Sequence, residues 1–182
     1  GWHPQVLHGH DWQAGFVPQY LRQMGGGPAT VLTIHNIAFT GSTDPGRVQS
    51  LRLDPWHFHP EGYEFYGGIS ALKSGLMGAD ALTTVSPTYA AELMTPEYGM
   101  GLDGVIRHRR EALTGILNGI DADAWDPGAD PAIRPYRDLD GKAANKAALR
   151  AEMGLPDTDG PLCVIVSRMS HQKGLDLVLE AL

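Results

Sequence analysis

The sequence predicts an α/β fold built on a parallel sheet, on three observations. Short apolar runs alternate with segments of helical spacing along the whole chain. The apolar runs are unbroken rather than alternating with period 2, as strands covered on both faces are. Polar and charged residues gather just after those runs, where open α/β sheets bind their ligands.

The elements follow in order. "PQVLHGHD" (4–11) reads as a short buried strand ending in polar residues. In "DWQAGFVPQYLRQM" (11–24), Trp12, Phe16, Tyr20 and Met24 recur at helical spacing, Asp11 is the candidate N-cap, and Pro18 should kink or shorten the helix. "ATVLTIHN" (29–36) is a second strand, followed by a long loop over 37–62 rich in Gly, Pro, His and aromatic residues. "YGGISALKSGLMGAD" (66–80) carries Ile69, Leu72, Leu76 and Met77 on one helical face. "ALTTVS" (81–86) is a strand, and "PTYAAELM" (87–94) a helix opened by Pro87. "DGVIRHRRE" (103–111) is a short helix and "LTGILN" (113–118) a strand. The turn-rich connector at 118–140 is the candidate domain boundary. "DGKAANKAALRAEMGL" (140–155) is a helix closed by Gly154, "PLCVIVSR" (161–168) the last strand and "GLDLVLEAL" (174–182) the last helix.

Composition bounds the function. A net charge of −7 does not suit nucleic acid or an anionic membrane, so any anion must be met by a local cluster. No apolar run approaches the roughly 20 residues of a membrane span. The lone Cys163 has no disulfide partner, which predicts a reducing, cytoplasmic compartment. The chain opens beside a strand and stops within a helix lacking a closing Gly, Asn or Pro. That predicts a segment of a longer protein, inactive on its own.

Several constellations carry chemistry. Arg168 and Lys173 stand where the last strand becomes a helix, so two cations and a helix N-terminus can converge on a phosphate or diphosphate. The competing reading is one structural ion pair and one solvated lysine. His8, His10 and Asp11 can begin a metal site, which would make the protein a metallohydrolase, but a second ligand cluster is wanting. No metal and no cofactor is therefore expected. His35 ends an apolar strand beside the His10–Asp11 strand end. Trp56, Phe58, Tyr63, Phe65 and Tyr66 crowd one region, where they can stack on sugar rings or pin the loop to the core.

Taken together, "HGHDWQAG", "TIHNIAFTG", "GYEFYGGISALKSGL", "ALTTVSPTYAAE", "GILNGID" with "WDP", "NKAALRAEMGL" and "VSRMSHQKGLDLVLEAL" resemble, in order and spacing, bacterial glycogen synthase and plant starch synthase. The resemblance covers nearly the whole chain. It implies a GT-B glycosyltransferase with two Rossmann-like domains. Residues 1–119 would be the C-terminal part of the first, acceptor-side domain, and 120–182 the connector and the start of the nucleotide-sugar-binding domain. It implies transfer of glucose from ADP-glucose to the non-reducing end of an α-1,4-glucan such as glycogen, with retention and without a metal. By the same resemblance, Arg168 and Lys173 neutralise the leaving diphosphate and His35 lies beside the donor glucose. Asp11 stands on the acceptor side and Asn118 near the transferred sugar, while Glu61, Tyr63 and Lys73 belong to the stretch that shapes the acceptor site. A transferase with another nucleotide-sugar donor, and a non-catalytic glucan- or nucleotide-binding module, are the alternatives.

Overall fold

A computed structural model describes residues 1–181, which fall into two compact units, Gly1–Gly119 and a second from Ile120 onward. The first opens with β1 (Val6–His10), a 3-10 turn at Trp12–Ala14, α1 (Val17–Gln23) and β2 (Ala29–Ile34). It continues through β3 (Ser42–Thr43), 3-10 turns at Pro45–Arg47 and Pro55–His57, β4 (Glu64–Phe65), β5 (Gly68–Ser70) and α2 (Ala71–Gly78). It closes with β6 (Ala81–Thr84), α3 (Pro87–Leu93), α4 (Asp103–His108), a 3-10 turn at Arg110–Ala112 and β7 (Leu113–Gly115).

The main sheet has the order β1-β2-β6-β7 and is parallel throughout, the α/β arrangement that the unbroken apolar runs predict. His10 is in register with Thr33, Ile34 with Thr84, and Thr84 with Gly115. All four carboxyl ends therefore reach one edge of the sheet. Asp80 ties the opposite edge together: its Oδ2 accepts from the Thr30 main-chain N–H at 2.6 Å and from the Thr30 hydroxyl at 2.9 Å. Those two hydrogen bonds hold the Asp80 carboxyl below its ordinary range.

Apolar side chains drive this assembly. Leu32, Ile34 and Leu82 from the strands meet Leu72 and Leu76 of α2, Leu93 of α3, and Leu102 and Ile106 around α4, all essentially buried. Each such leucine contributes about 2 kcal/mol by leaving water. Two glycines permit the close approach of α2. A Cβ on Gly15 would lie 1.9 Å from the Ala71 carbonyl oxygen, and one on Gly75 would lie 2.7 Å from Leu32 Cδ2.

Several sequence expectations are corrected here. The helix expected over 66–80 begins only at Ala71; residues 68–70 form β5, because Ser70 is extended and its hydroxyl oxygen caps α2 by accepting from the Lys73 N–H. The loop expected over 37–62 contains β3, which with β4 and β5 forms a small antiparallel sheet of order β3-β5-β4. Of the two effects expected of Pro18, the structure shows the shortening: the helix expected over 11–24 is regular only from Val17 to Gln23, and Pro18 lies unkinked in its first turn, where its missing N–H costs no helical bond. Asp11 makes no side-chain cap; its carboxylate is engaged elsewhere.

The second unit contains α5 (Ala143–Glu152), a 3-10 turn at His171–Lys173, and α6 (Leu175–Ala181). The helix expected to run to residue 182 is thus described as far as Ala181, and Leu182 lies outside the described residues. Gly154, with φ +65°, follows α5 as expected. Buried Arg150 closes the following loop by donating to the carbonyls of Pro156 and Gly160 and to the Thr158 hydroxyl. The strand expected at 161–168 is not formed, and Cys163, Val164, Ile165 and Val166 are exposed. An extended segment becomes a strand only by pairing, and no other strand occurs among the described residues of this unit. No helix among the described residues is long and apolar enough to cross a membrane.

Candidate active site

The carboxyl edge of the parallel sheet assembles the polar cluster. Side chains two apart on a strand share a face, so His8 and His10 of β1 stand beside Thr33 of β2 and His35 just beyond it. His8 Nε2 is 2.6 Å from Thr33 Oγ1, which is in turn 2.6 Å from Thr83 Oγ1. His10 Nδ1 is 3.0 Å from His35 Nε2. The ring centroids of His8 and His10 are 4.4 Å apart, and those of His10 and His35 are 5.2 Å apart.

Asp11 is the hinge of this edge. Its backbone lies at φ +52°, a region that non-glycine residues enter at a cost. Its N–H continues the ladder by donating to the Thr33 carbonyl at 2.9 Å. Its Oδ1 accepts from the main-chain N–H groups of His35 at 2.7 Å and Asn36 at 3.2 Å. The carboxylate thus anchors the turn that carries His35, while the exposed His35 ring faces solvent. Partial desolvation lowers the His10 pKa, the His8 and His35 rings lower it further, and Asp11 opposes them. His8, His10 and Asp11 are engaged with three different sets of partners, and among the described residues no three His, Cys, Asp or Glu side chains converge as a metal site.

Next to this edge lies an open groove of about 610 Å3 that includes Trp12, Phe16, Phe39, Thr40 and Arg47. Trp12 is 39% exposed and Phe39 56% exposed, so apolar ring surface faces the groove's solvent. These groove residues did not emerge as site candidates from the sequence. In the sequence Trp12 reads only as part of a helical spacing, and its exposure and that of Phe39 depend on the tertiary fold.

The other candidates divide. Asn118 is exposed in the coil beyond β7. Glu61 is exposed, and its N–H donates to His59 Nδ1 at 3.2 Å. Tyr63 is completely buried in a cluster with Leu53 and Ile69, and its hydroxyl donates to the Asp54 carbonyl at 2.9 Å. Burial and the nearby Asp54 push its pKa up. Lys73 is buried on α2 with its ammonium donating to the Glu64 carbonyl, and burial lowers its pKa against the opposing pull of Glu64. Tyr63 and Lys73 thus stand inside the 54–73 segment expected to shape the acceptor site, bonded to its main chain rather than exposed on it. In the second unit, Arg168 and Lys173 are exposed on a turn, with the Lys173 N–H donating to the Ser170 carbonyl at 3.0 Å and α6 beginning two residues later. The burial cost that a strand would have imposed on Arg168 is absent.

The family model for the starch synthase catalytic domain matches residues 1–108. A glycogen synthase of Jannaschia sp. is 61% identical over 181 residues, an alignment covering 100% of this chain and 38% of that protein. A glycogen synthase of Paracoccus denitrificans is 58% identical over 182 residues, again covering 100% and 38%. The solved catalytic domain of starch synthase IV from Arabidopsis thaliana, bound to ADP and acarbose, superimposes with a TM-score of 0.82 at 33% identity. That match covers 98% of this chain and 39% of the other. The chain thus spans under two fifths of the length of the curated relatives it matches.

Proposed function

Because the chain belongs to the starch synthase catalytic-domain family, we propose that its protein is a GT-B glycosyltransferase making glycogen. It transfers glucose from ADP-glucose to the non-reducing end of an α-1,4-glucan, with retention of configuration. The observation that carries this reading is the match of 98% of the chain to a starch synthase structure holding ADP and acarbose, a nucleotide and a sugar mimic. The bacterial glycogen synthases at 61% and 58% identity support glycogen as the product and the bacterial cytosol as the compartment.

The residues take roles that their chemistry allows. Cleaving the sugar–diphosphate bond places negative charge on the leaving ADP, and exposed Arg168 and Lys173 supply fixed positive charge to stabilise it. The His35 ring offers a nitrogen to a hydroxyl of the donor glucose, and Asp11 holds the His35 turn on the acceptor side. Asn118 and Glu61 offer exposed polar groups to the transferred sugar and the glucan. Tyr63 and Lys73 act behind them by fixing the shape of the 54–73 segment. Residues 1–119 form the end of the acceptor-side domain, and the residues that follow begin the nucleotide-sugar-binding one.

The test is transfer of labelled glucose to glycogen by the full-length protein, with ADP-glucose and UDP-glucose compared and the product's anomeric linkage determined. Faster transfer from ADP-glucose into α-1,4 linkages is expected. Binding of glucan or nucleotide without transfer from any donor would replace the enzyme by a non-catalytic module.

A further inference from the structure

We propose that His10 is a positioning residue for His35, holding one ring nitrogen of His35 so that the opposite nitrogen alone is presented to ligand. The observation is the 3.0 Å contact between His10 Nδ1 and His35 Nε2, made between two exposed rings on adjacent strand ends.

A hydrogen bond between two neutral imidazoles contains one proton, and its position settles both tautomers. If His35 Nε2 carries it, His10 Nδ1 accepts and His35 Nδ1 is a bare acceptor facing outward. If His10 Nδ1 carries it, His35 Nε2 accepts and His35 Nδ1–H is an outward donor. In both cases the ring of His35 is fixed in plane and only Nδ1 is free. The backbone of His35 is held independently by Asp11 at 2.7 Å, so ring and main chain are fixed from two neighbouring residues of one strand end. His10 is itself braced by the His8 ring at 4.4 Å, and His8 is anchored to Thr33. The lowered pKa of His10 favours the neutral pair.

This inference rests on the reading of His35 as a contact to the donor sugar. The experiment uses the full-length protein with His10→Asn, His10→Gln, His10→Phe and His35→Ala, with saturating ADP-glucose and nitrogen-15 histidine spectra. The Asn amide stands near the position of Nδ1, whereas the Gln amide stands near that of Nε2, and Phe has ring bulk alone. His10→Phe and His10→Gln are expected to lower kcat about tenfold, as loss of a group that orients a functional side chain does. His10→Asn should recover most of the loss. The His35 nitrogen signals should report one tautomer in the unsubstituted protein and in His10→Asn, and an averaged pair in the other two. Equal loss in Asn, Gln and Phe, or an unchanged His35 signal in Phe and Gln, would overturn the proposal. Normal turnover in His35→Ala would overturn the sugar-contact reading instead, while the nitrogen signals would still decide the His10–His35 pairing.

Discussion

Asp11 and His35, 24 residues apart, are joined by a 2.7 Å hydrogen bond from the His35 main-chain N–H to the Asp11 carboxylate. A residue strained at the end of one strand thereby fixes the turn at the end of the next. At this carboxyl edge of the sheet, the Asp11 carboxylate holds the His35–Asn36 main chain in place.

Asp11→Ala should therefore lose both stability and activity. Removing a charged acceptor from two N–H groups costs about 1–3 kcal/mol, read by chemical unfolding, and transfer should fall with it. Asp11→Asn has an acceptor oxygen and should restore most of the stability. If Asp11→Ala unfolds like the unsubstituted protein, the anchor role is wrong.

Lys73 should behave as a structural cation. Lys73→Met has a similar apolar stem but leaves the Glu64 carbonyl without its ammonium partner. A loss of about 1–3 kcal/mol is expected, with proteolysis rising around 64–67 at the β4–β5 turn. Unchanged stability together with weakened glucan affinity would return Lys73 to the ligand surface.

Acidification should destabilise the first unit through His10. Its folded pKa lies below the ordinary 6.5, so between the two values the unfolded chain binds more protons. Its contribution is intact above pH 6.5 and is lost as pH falls through that value towards the folded pKa. The melting temperature should drop on going from pH 7 to below 6, and His10→Gln should lessen the drop. A His10→Gln variant with the same pH slope would remove His10 as the cause.

Lys173→Gln in the full-length protein should cost roughly 3 kcal/mol of transition-state stabilisation, about a hundredfold in kcat. Lys173→Arg should recover part of that, since a planar fork does not reproduce a point charge. Melting should not move, because the side chain is exposed. Ordinary turnover in Lys173→Gln at saturating ADP-glucose would make Lys173 a solvated surface residue.

The sequence by itself determined the parallel sheet of the first unit, because unbroken apolar runs such as "ATVLTI" have nowhere to bury both faces except between layers. It also determined the helix end at Gly154 and the helix start at Pro87, where local backbone chemistry acts within a turn of the helix. The tertiary structure alone decided whatever depended on partners distant in the chain. The run at 161–168 has strand composition, but a strand exists only where another supplies hydrogen bonds. Tyr63 and Lys73 have polar ends suited to a ligand, yet packing turned both inward onto the carbonyls of Asp54 and Glu64. The Asp11 carboxylate, suited to capping its own helix, instead holds the turn at His35, and His10 meets the His35 ring across the same strand pair. Register between β1 and β2 brings those groups together, and register is set by how whole faces of the sheet pack, which no short stretch of sequence contains.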